Sequence, residues 1–196
     1  MTEFNHEKYL ESEGIVQREG HTGMFPEVYE YLSKFFEQNK PKNILEIGFN
    51  LGHSASFFLG YCEKLTSTDI GNHPYAKANK IPKKFKEVYG DRFEFHQGDS
   101  RQFLKTLKGD FDFIFVDGGH DYGTASSDLD NCKKLCTGFV CLDDYVKEDH
   151  LQQSWNKGVV KAWQDKVEKK IINELMSVTV KNEHNQYTGL AIGIYN

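Results

Sequence analysis

The sequence has no apolar run approaching the roughly 20 residues that a membrane-spanning helix needs, so no membrane partner is expected. Its N-terminal stretch, MTEFNHEKYLESEG, is polar and acidic, which does not fit a secretory signal. A surplus of positive charge is also missing. Lys and Arg number 24 against 29 Asp and Glu, a net charge of −5. That balance disfavours nucleic acid as an obligatory partner. The lysine-rich stretch KIPKKFK (80–86) reads as a solvated helix face. Cysteine is scarce: Cys62, Cys132, Cys136 and Cys141 contain no C-x-x-C pair. Cys132 and Cys136 would share a helix face, but no second Cys/His pair completes a zinc set. Buried free thiols are the expectation, in keeping with a reducing, cytoplasmic location. G-x-G-x-x-G is absent, and so is the Lys-Ser/Thr of a P-loop, which argues against a dinucleotide fingerprint and a nucleotide triphosphatase.

What is present is a regular alternation. Pro26 opens a helical pattern over 26–38, and Pro41 stops it. Short apolar runs at Asn43–Ile47, Lys64–Asp69, Arg92–His96, Phe111–Val116 and Gly138–Leu142 read as strands. Between them, 54–63, the lysine-rich stretch after Pro82, 101–107 and 125–135 read as helices, and a long helix is expected over 157–172. Five such alternations predict a parallel α/β sheet with helices on both faces. Met176–Lys181 and Leu190–Tyr195 follow as two strands joined by a short polar turn, so they are expected to be antiparallel. The 196 residues suit a single domain, with 1–25 as an N-terminal leader or cap and 26–196 as the core.

Ligands of open α/β sheets bind beyond the carboxyl ends of the strands. Here every one of the five strand ends carries acid: Glu46 before Gly48, Asp69, Asp99, Asp117, and the pair Asp143–Asp144. One such acid commonly caps the next helix. Five form a pattern that capping explains less well. In the first turn, Gly48-Phe-Asn50-Leu-Gly52 places glycines, and an asparagine that tolerates positive φ, where a backbone would approach a ligand. An ordinary tight turn accounts for that motif equally well. Asp69, at the end of the second strand, suits the two hydroxyls of a ribose.

ILEIGFNLGHSA, STDIG, FHQGDSRQFL, FDFIFVDGGHDYGTASSDL and GFVCLDDY, in this order and spacing, resemble a class I S-adenosylmethionine-dependent methyltransferase. More narrowly, D-G-x-H-x-Y followed by G-x-V-x-L-D-D-Y resembles the metal-dependent small-molecule O-methyltransferases of antibiotic sugar tailoring, relatives of catechol O-methyltransferase. The resemblance runs from about residue 20 to 195. It implies a Rossmann-like sandwich with a seven-stranded, mostly parallel sheet whose last strand is antiparallel. It also implies cofactor contacts at Glu46, Gly48, Asn50, Gly52, His53, Ser54, Asp69, Ile70, Gly98, Asp99, Ser100 and Asp117, with the loop 20–24 as a cover. Asn50 stands where many members have glycine.

Asp117, Asp143 and Asp144 would converge at adjacent strand ends, and three carboxylates together raise one another's pKa. A divalent cation relieves that conflict, and an all-oxygen set suits Mg²⁺ or Mn²⁺. In the resembled family, acids at these positions hold the metal; an acidic turn and a helix cap are the alternative. His120, three residues after Asp117 on a Gly118–Gly119 loop, is the expected catalytic base. Asp121 is expected to cap the next helix, Tyr122 to pack on cofactor or sheet, and Tyr145 to line an acceptor pocket. His53 and Lys147 are weaker base candidates. The expected acceptor is a hydroxylated small molecule such as a sugar, and a homo-oligomer fits the resemblance. The alternatives are a metal-independent N- or O-methyltransferase and a non-catalytic cofactor-binding domain.

Overall fold

The computed structural model describes residues 4–15, 25–71, 80–181 and 185–196. Its sheet has seven strands: β1 (Asn43–Ile47), β2 (Lys64–Asp69), β3 (Phe93–Gln97), β4 (Phe111–Val116), β5 (Cys136–Asp143), β6 (Ile172–Lys181) and β7 (Tyr187–Tyr195). They lie in the order β3-β2-β1-β4-β5-β7-β6. β1 pairs in parallel with both β2 and β4, and the parallel set extends to β3 and β5. β7 inserts antiparallel between β5 and β6. Because β1 has β2 on one side and β4 on the other, the chain direction of travel across the sheet reverses there. That reversal opens a crevice at the carboxyl ends of β1 and β4.

Side chains alternate across the sheet with a period of two, and the two faces bury different chemistry. Ile44, Phe113 and Phe115 face a cluster rich in aromatics, with Phe36, Phe58, Phe85 and Phe93. Leu45, Ile47, Ile114 and Val116 face an aliphatic cluster with Leu129, Val160 and Trp163. Phe36, from α2 (Pro26–Asn39), meets Phe113 edge to face at 4.8 Å, the arrangement that aromatic quadrupoles favour. α3 (His53–Phe58) and α4 (Lys80–Tyr89) complete the aromatic side. α5 (Ser100–Thr106), α6 (Tyr122–Cys132) and α7 (Lys157–Glu168) complete the other. Cys62, Cys132 and Cys141 are buried free thiols and Cys136 is half-buried; burial pushes all four thiols above their ordinary pKa.

Several boundaries differ from the sequence reading. α1 (His6–Ser12), with Asn5 capping it through Lys8 N–H, lies in a segment read only as a leader, and its Leu10 joins the aromatic core. α3 ends at Phe58 rather than at 63, and the chain turns through Gly60. α7 stops at Glu168, and β6 begins at Ile172, four residues before the expected start. Lys170 takes a left-handed φ of 55° and breaks the helix there. Pairing of Ile172 with Tyr195 then draws into the sheet residues whose helical periodicity is only local. α6 starts at Tyr122, and Asp121 caps it by accepting Thr124 N–H at 3.0 Å, as expected.

Candidate active site

The crevice at the β1/β4 reversal is a cavity of about 750 Å³. Of the twelve expected cofactor residues, Gly48, Asn50, Asp69, Ile70, Gly98, Asp99, Ser100 and Asp117 line it. Asp143, Asp144 and His120 line it too. Glu46, Gly52, His53 and Ser54 do not. The loop 20–24, expected as a cover, falls outside the described residues.

The loop after β1 takes its shape from positive φ at Gly48 (97°), Asn50 (45°) and Gly52 (81°). Asn50 therefore does what the sequence reading asked of it. Asp69 holds this loop directly. Its Oδ2 accepts the backbone N–H of Phe49 (2.9 Å) and Asn50 (2.8 Å), and its Oδ1 accepts that of Gly71 (2.6 Å). The sequence reading assigned Asp69 to a ribose alone; the structure adds the role of organising the turn. Asp99 caps α5 through Arg101 N–H, and the Arg101 guanidinium pairs with it at 2.6 Å, holding its carboxyl below the usual range.

Glu46 sits on the aromatic face with no exposed surface. Ser54 Oγ donates to its Oε1 at 2.6 Å, and Ser67 Oγ donates to its Oε2. Burial pushes its pKa up to about 8, against an ordinary 4.5, which favours its neutral form. The folded state then holds a proton that the unfolded chain releases. Stability from this group is full below pH 4.5 and is lost as pH rises through about 8. Glu46→Gln keeps the shape and has no proton to lose. Urea denaturation at pH 6 and pH 9 should find the variant gaining a few kcal/mol over wild type at the higher pH, at about 1.4 kcal/mol per pKa unit. Equal pH slopes for the two proteins would contradict a protonated Glu46.

At the other end of the cavity the acids gather. One donor atom each from Asp117, His120 and Asp144 lies within 4.8 Å of the others. His120 Nε2 is 3.1 Å from Asp144 Oδ2 and 4.0 Å from Asp117 Oδ1. Asp117 and Asp144 together hold the imidazole protonated, with a pKa of about 10. Burial, then the Asp144 charge, raises Asp117 to about 6. Burial, then Asp117 and Asp144, pushes Asp143 well above the carboxylate range. Asp143 is outside the tight trio, and His120 takes its place there. Asp144 has a left-handed φ of 58° and accepts from Thr188 Oγ1 at 2.7 Å, which anchors it to β7.

Gly118 and Gly119 matter through space, not through a hinge, since neither has positive φ. A Cβ on Gly118 would lie 3.1 Å from Asp128 Oδ2, and one on Gly119 would lie 2.9 Å from Thr124 Cγ2. Tyr122 leaves the site and donates to Asp165 of α7 at 2.6 Å. Tyr145 is buried against Trp163 and does not line the cavity. Lys147 pairs with Glu174 and His53 with Glu7, so neither base candidate lines the cavity. Sequence reasoning missed the aromatic walls, Phe25 and Tyr29 beside α2's start and Trp155 over His120 at 5.7 Å. It also missed Gly158, where a Cβ would strike the His120 carbonyl oxygen. A glycine in the first turn of an otherwise good helix was the available signal.

The methyltransferase domain family matches residues 45–145, just over half of the chain. No curated protein matches significantly. Among solved structures, an O-methyltransferase from Bacillus cereus in complex with SAH superposes with a TM-score of 0.73 at 16% identity, covering 99% of this chain and 93% of that one. The N-methyltransferase NodS from Bradyrhizobium japonicum gives 0.65 at 18% identity, with 98% and 99% coverage. The O-methyltransferase TomG from Streptomyces achromogenes, involved in tomaymycin synthesis, gives 0.67 at 18%, with 86% and 79%. The matched segment runs from β1 through the Asp143–Asp144 turn and so contains the glycine loop, Asp69, Asp117 and His120. The chain belongs to the methyltransferase domain family and is an S-adenosylmethionine-dependent methyltransferase of class I fold.

Proposed function

We propose that the enzyme methylates a hydroxyl of a small molecule, such as a sugar, with Asp117, Asp143 and Asp144 holding Mg²⁺ or Mn²⁺ and His120 taking the proton. One observation carries this reading: Asp117, Asp144 and the His120 imidazole crowd together in the cavity that Asp143, Asp69 and the glycine loop also line. The donor set fits a hard cation, since burial and mutual repulsion raise the pKa of Asp117 and Asp143. When bound, the cation supplies counter-charge to these acids and Lewis acidity toward the acceptor oxygen. The glycine loop and Asp69 would hold the cofactor, which would supply the sulfonium methyl group. Phe25, Tyr29 and Trp155 line the cavity and would offer the acceptor an apolar wall. The acceptor oxygen forms a bond to the methyl carbon as the carbon–sulfur bond breaks, leaving a thioether. With a cation as counter-charge to Asp117 and Asp144, His120 would shed the proton that these acids hold on it, and its neutral Nε2 would accept the hydroxyl proton. Holding the two reactants in line contributes on the order of 7–11 kcal/mol.

Isothermal titration of metal-stripped protein with S-adenosylhomocysteine, then with Mg²⁺, tests the reading. Both isotherms are expected in the wild type. In Asp144→Ala the Mg²⁺ isotherm should vanish and the cofactor isotherm should remain. A second reading, methyl transfer without metal, is favoured by the 3.1 Å contact in which His120 itself neutralises Asp144. It requires full activity in chelator, and a cofactor isotherm with no Mg²⁺ isotherm would select it.

A further inference from the structure

We propose that His6, Glu7 and His53 form a second cation site, distinct from the strand-end acids and suited to a borderline metal such as Zn²⁺. One donor atom from each of the three lies within 4.8 Å of the other two. His53 Nδ1 and Glu7 Oε1 are 3.0 Å apart, across 46 residues of sequence. The two imidazoles meet edge to face with centroids 5.2 Å apart. Donors around zinc at ~2.0–2.1 Å lie about 3.3 Å from one another; the His53–Glu7 pair is already at 3.0 Å, and the other pairs need to close by at most about 1.5 Å.

The surroundings fit a metal centre. His6 and His53 are each only 5% exposed. The Phe85 ring stands 5.1 Å from the His6 ring. An apolar wall of this kind strengthens electrostatic attraction to an ion. The Glu7 side chain is 47% exposed, which leaves a route for the ion and a fourth position for water. Two imidazole nitrogens and one carboxylate oxygen form a set that prefers Zn²⁺, Co²⁺ or Ni²⁺ to Mg²⁺. The all-oxygen acids in the cavity have the opposite preference.

The placement gives the site a consequence. α1 has seven residues, too few to stand as a helix without tertiary contacts. His53 is the first residue of α3 and follows Gly52, the last positive-φ position of the cofactor loop. An ion held by all three residues fastens α1 to the base of that loop.

The test uses the full chain carrying Asp144→Ala, so that the strand-end acids do not confuse the titration. Co²⁺ is added to the metal-free protein and its visible d–d bands are followed, then Zn²⁺ is added in competition. Four-coordinate bands saturating at a single equivalent, and bleached by Zn²⁺, are expected. Glu7→Gln and His6→Gln, each added in that background, should weaken Co²⁺ by about 10–100-fold or more, since loss of mere outer-shell partners already costs that much. Zn²⁺ should raise the melting temperature of the Asp144→Ala protein and not that of Asp144→Ala with His6→Gln. Glu7, on the half-exposed side of the site, keeps the test usable where a histidine variant fails to fold. Absence of the bands overturns the proposal, and so do bands that survive unchanged in both added variants.

Discussion

His120→Ala will lower turnover by about 10²–10⁴-fold, the usual contribution of a positioned base, while S-adenosylhomocysteine binds almost as tightly as before. The imidazole points at Asp144 and Asp117 rather than at the loop that Asp69 organises. Its removal takes away the group proposed to accept the proton and a partner of two carboxylates. Asp69→Ala should split the other way. That carboxylate accepts three backbone N–H groups of the glycine loop and its flank, and each hydrogen bond to a charged group is worth about 1.5–3 kcal/mol. Cofactor affinity and melting temperature should both fall, ahead of any effect on the chemical step. Steady-state kinetics with an acceptor from a polyol and sugar screen, paired with titration calorimetry, measures both. Should His120→Ala lose cofactor affinity in proportion to turnover, the imidazole is a cofactor ligand and the assignment of base is wrong.

Gly48→Ala will damage stability and cofactor binding together. A Cβ at this position would lie inside the contact radius of the Asp117 carbonyl oxygen. Neither backbone has slack: Gly48 N–H donates to Thr68 O and Asp117 N–H to Ile47 O, both at 2.8 Å. The φ of 97° adds strain for any residue with a side chain. Backbone strain costs about 1–3 kcal/mol, and overpacking a similar amount, against a total stability of about 5–15 kcal/mol. Gly98→Ala is the control within the same cavity. Its Cβ meets nothing within 4 Å, and it lacks the positive φ. Thermal denaturation and S-adenosylhomocysteine titration should separate the two sharply. A Gly48→Ala protein that melts with the wild type would mean that the β1 and β4 ends are not in contact as described.

Much of the site was legible because strand-end position is a local property. A short apolar run followed by an acid locates both the strand and the ligand-facing group, so Asp69, Asp99, Asp117 and Asp144 come directly from the pattern. Asn50 was legible through its tolerance of positive φ, and Asp121 through its spacing before a helix. Trp155, Tyr29 and Gly158 were not. Each reaches the site from an element distant in sequence, and no local rule states which residue of a helix start or loop faces a cavity. His53 was placed beside the cofactor by resemblance; its neighbours in sequence belong to the glycine loop, and its ring meets Glu7 and does not line the cavity.

The sequence alone determined the alternation of five strands with helices, the antiparallel closing pair, and the row of acids, because periodicity and strand-end chemistry are written within a few residues. Tertiary structure alone decided which acids meet. It set His120 beside Asp117 and Asp144, left Asp143 outside the tight trio, and buried Glu46 so that its pKa rises. It also turned Asp69 into the brace of the glycine loop. Charge, burial and hydrogen bonding among these groups depend on distances across strands, and those distances exist only once β1, β2, β4 and β5 have paired in register.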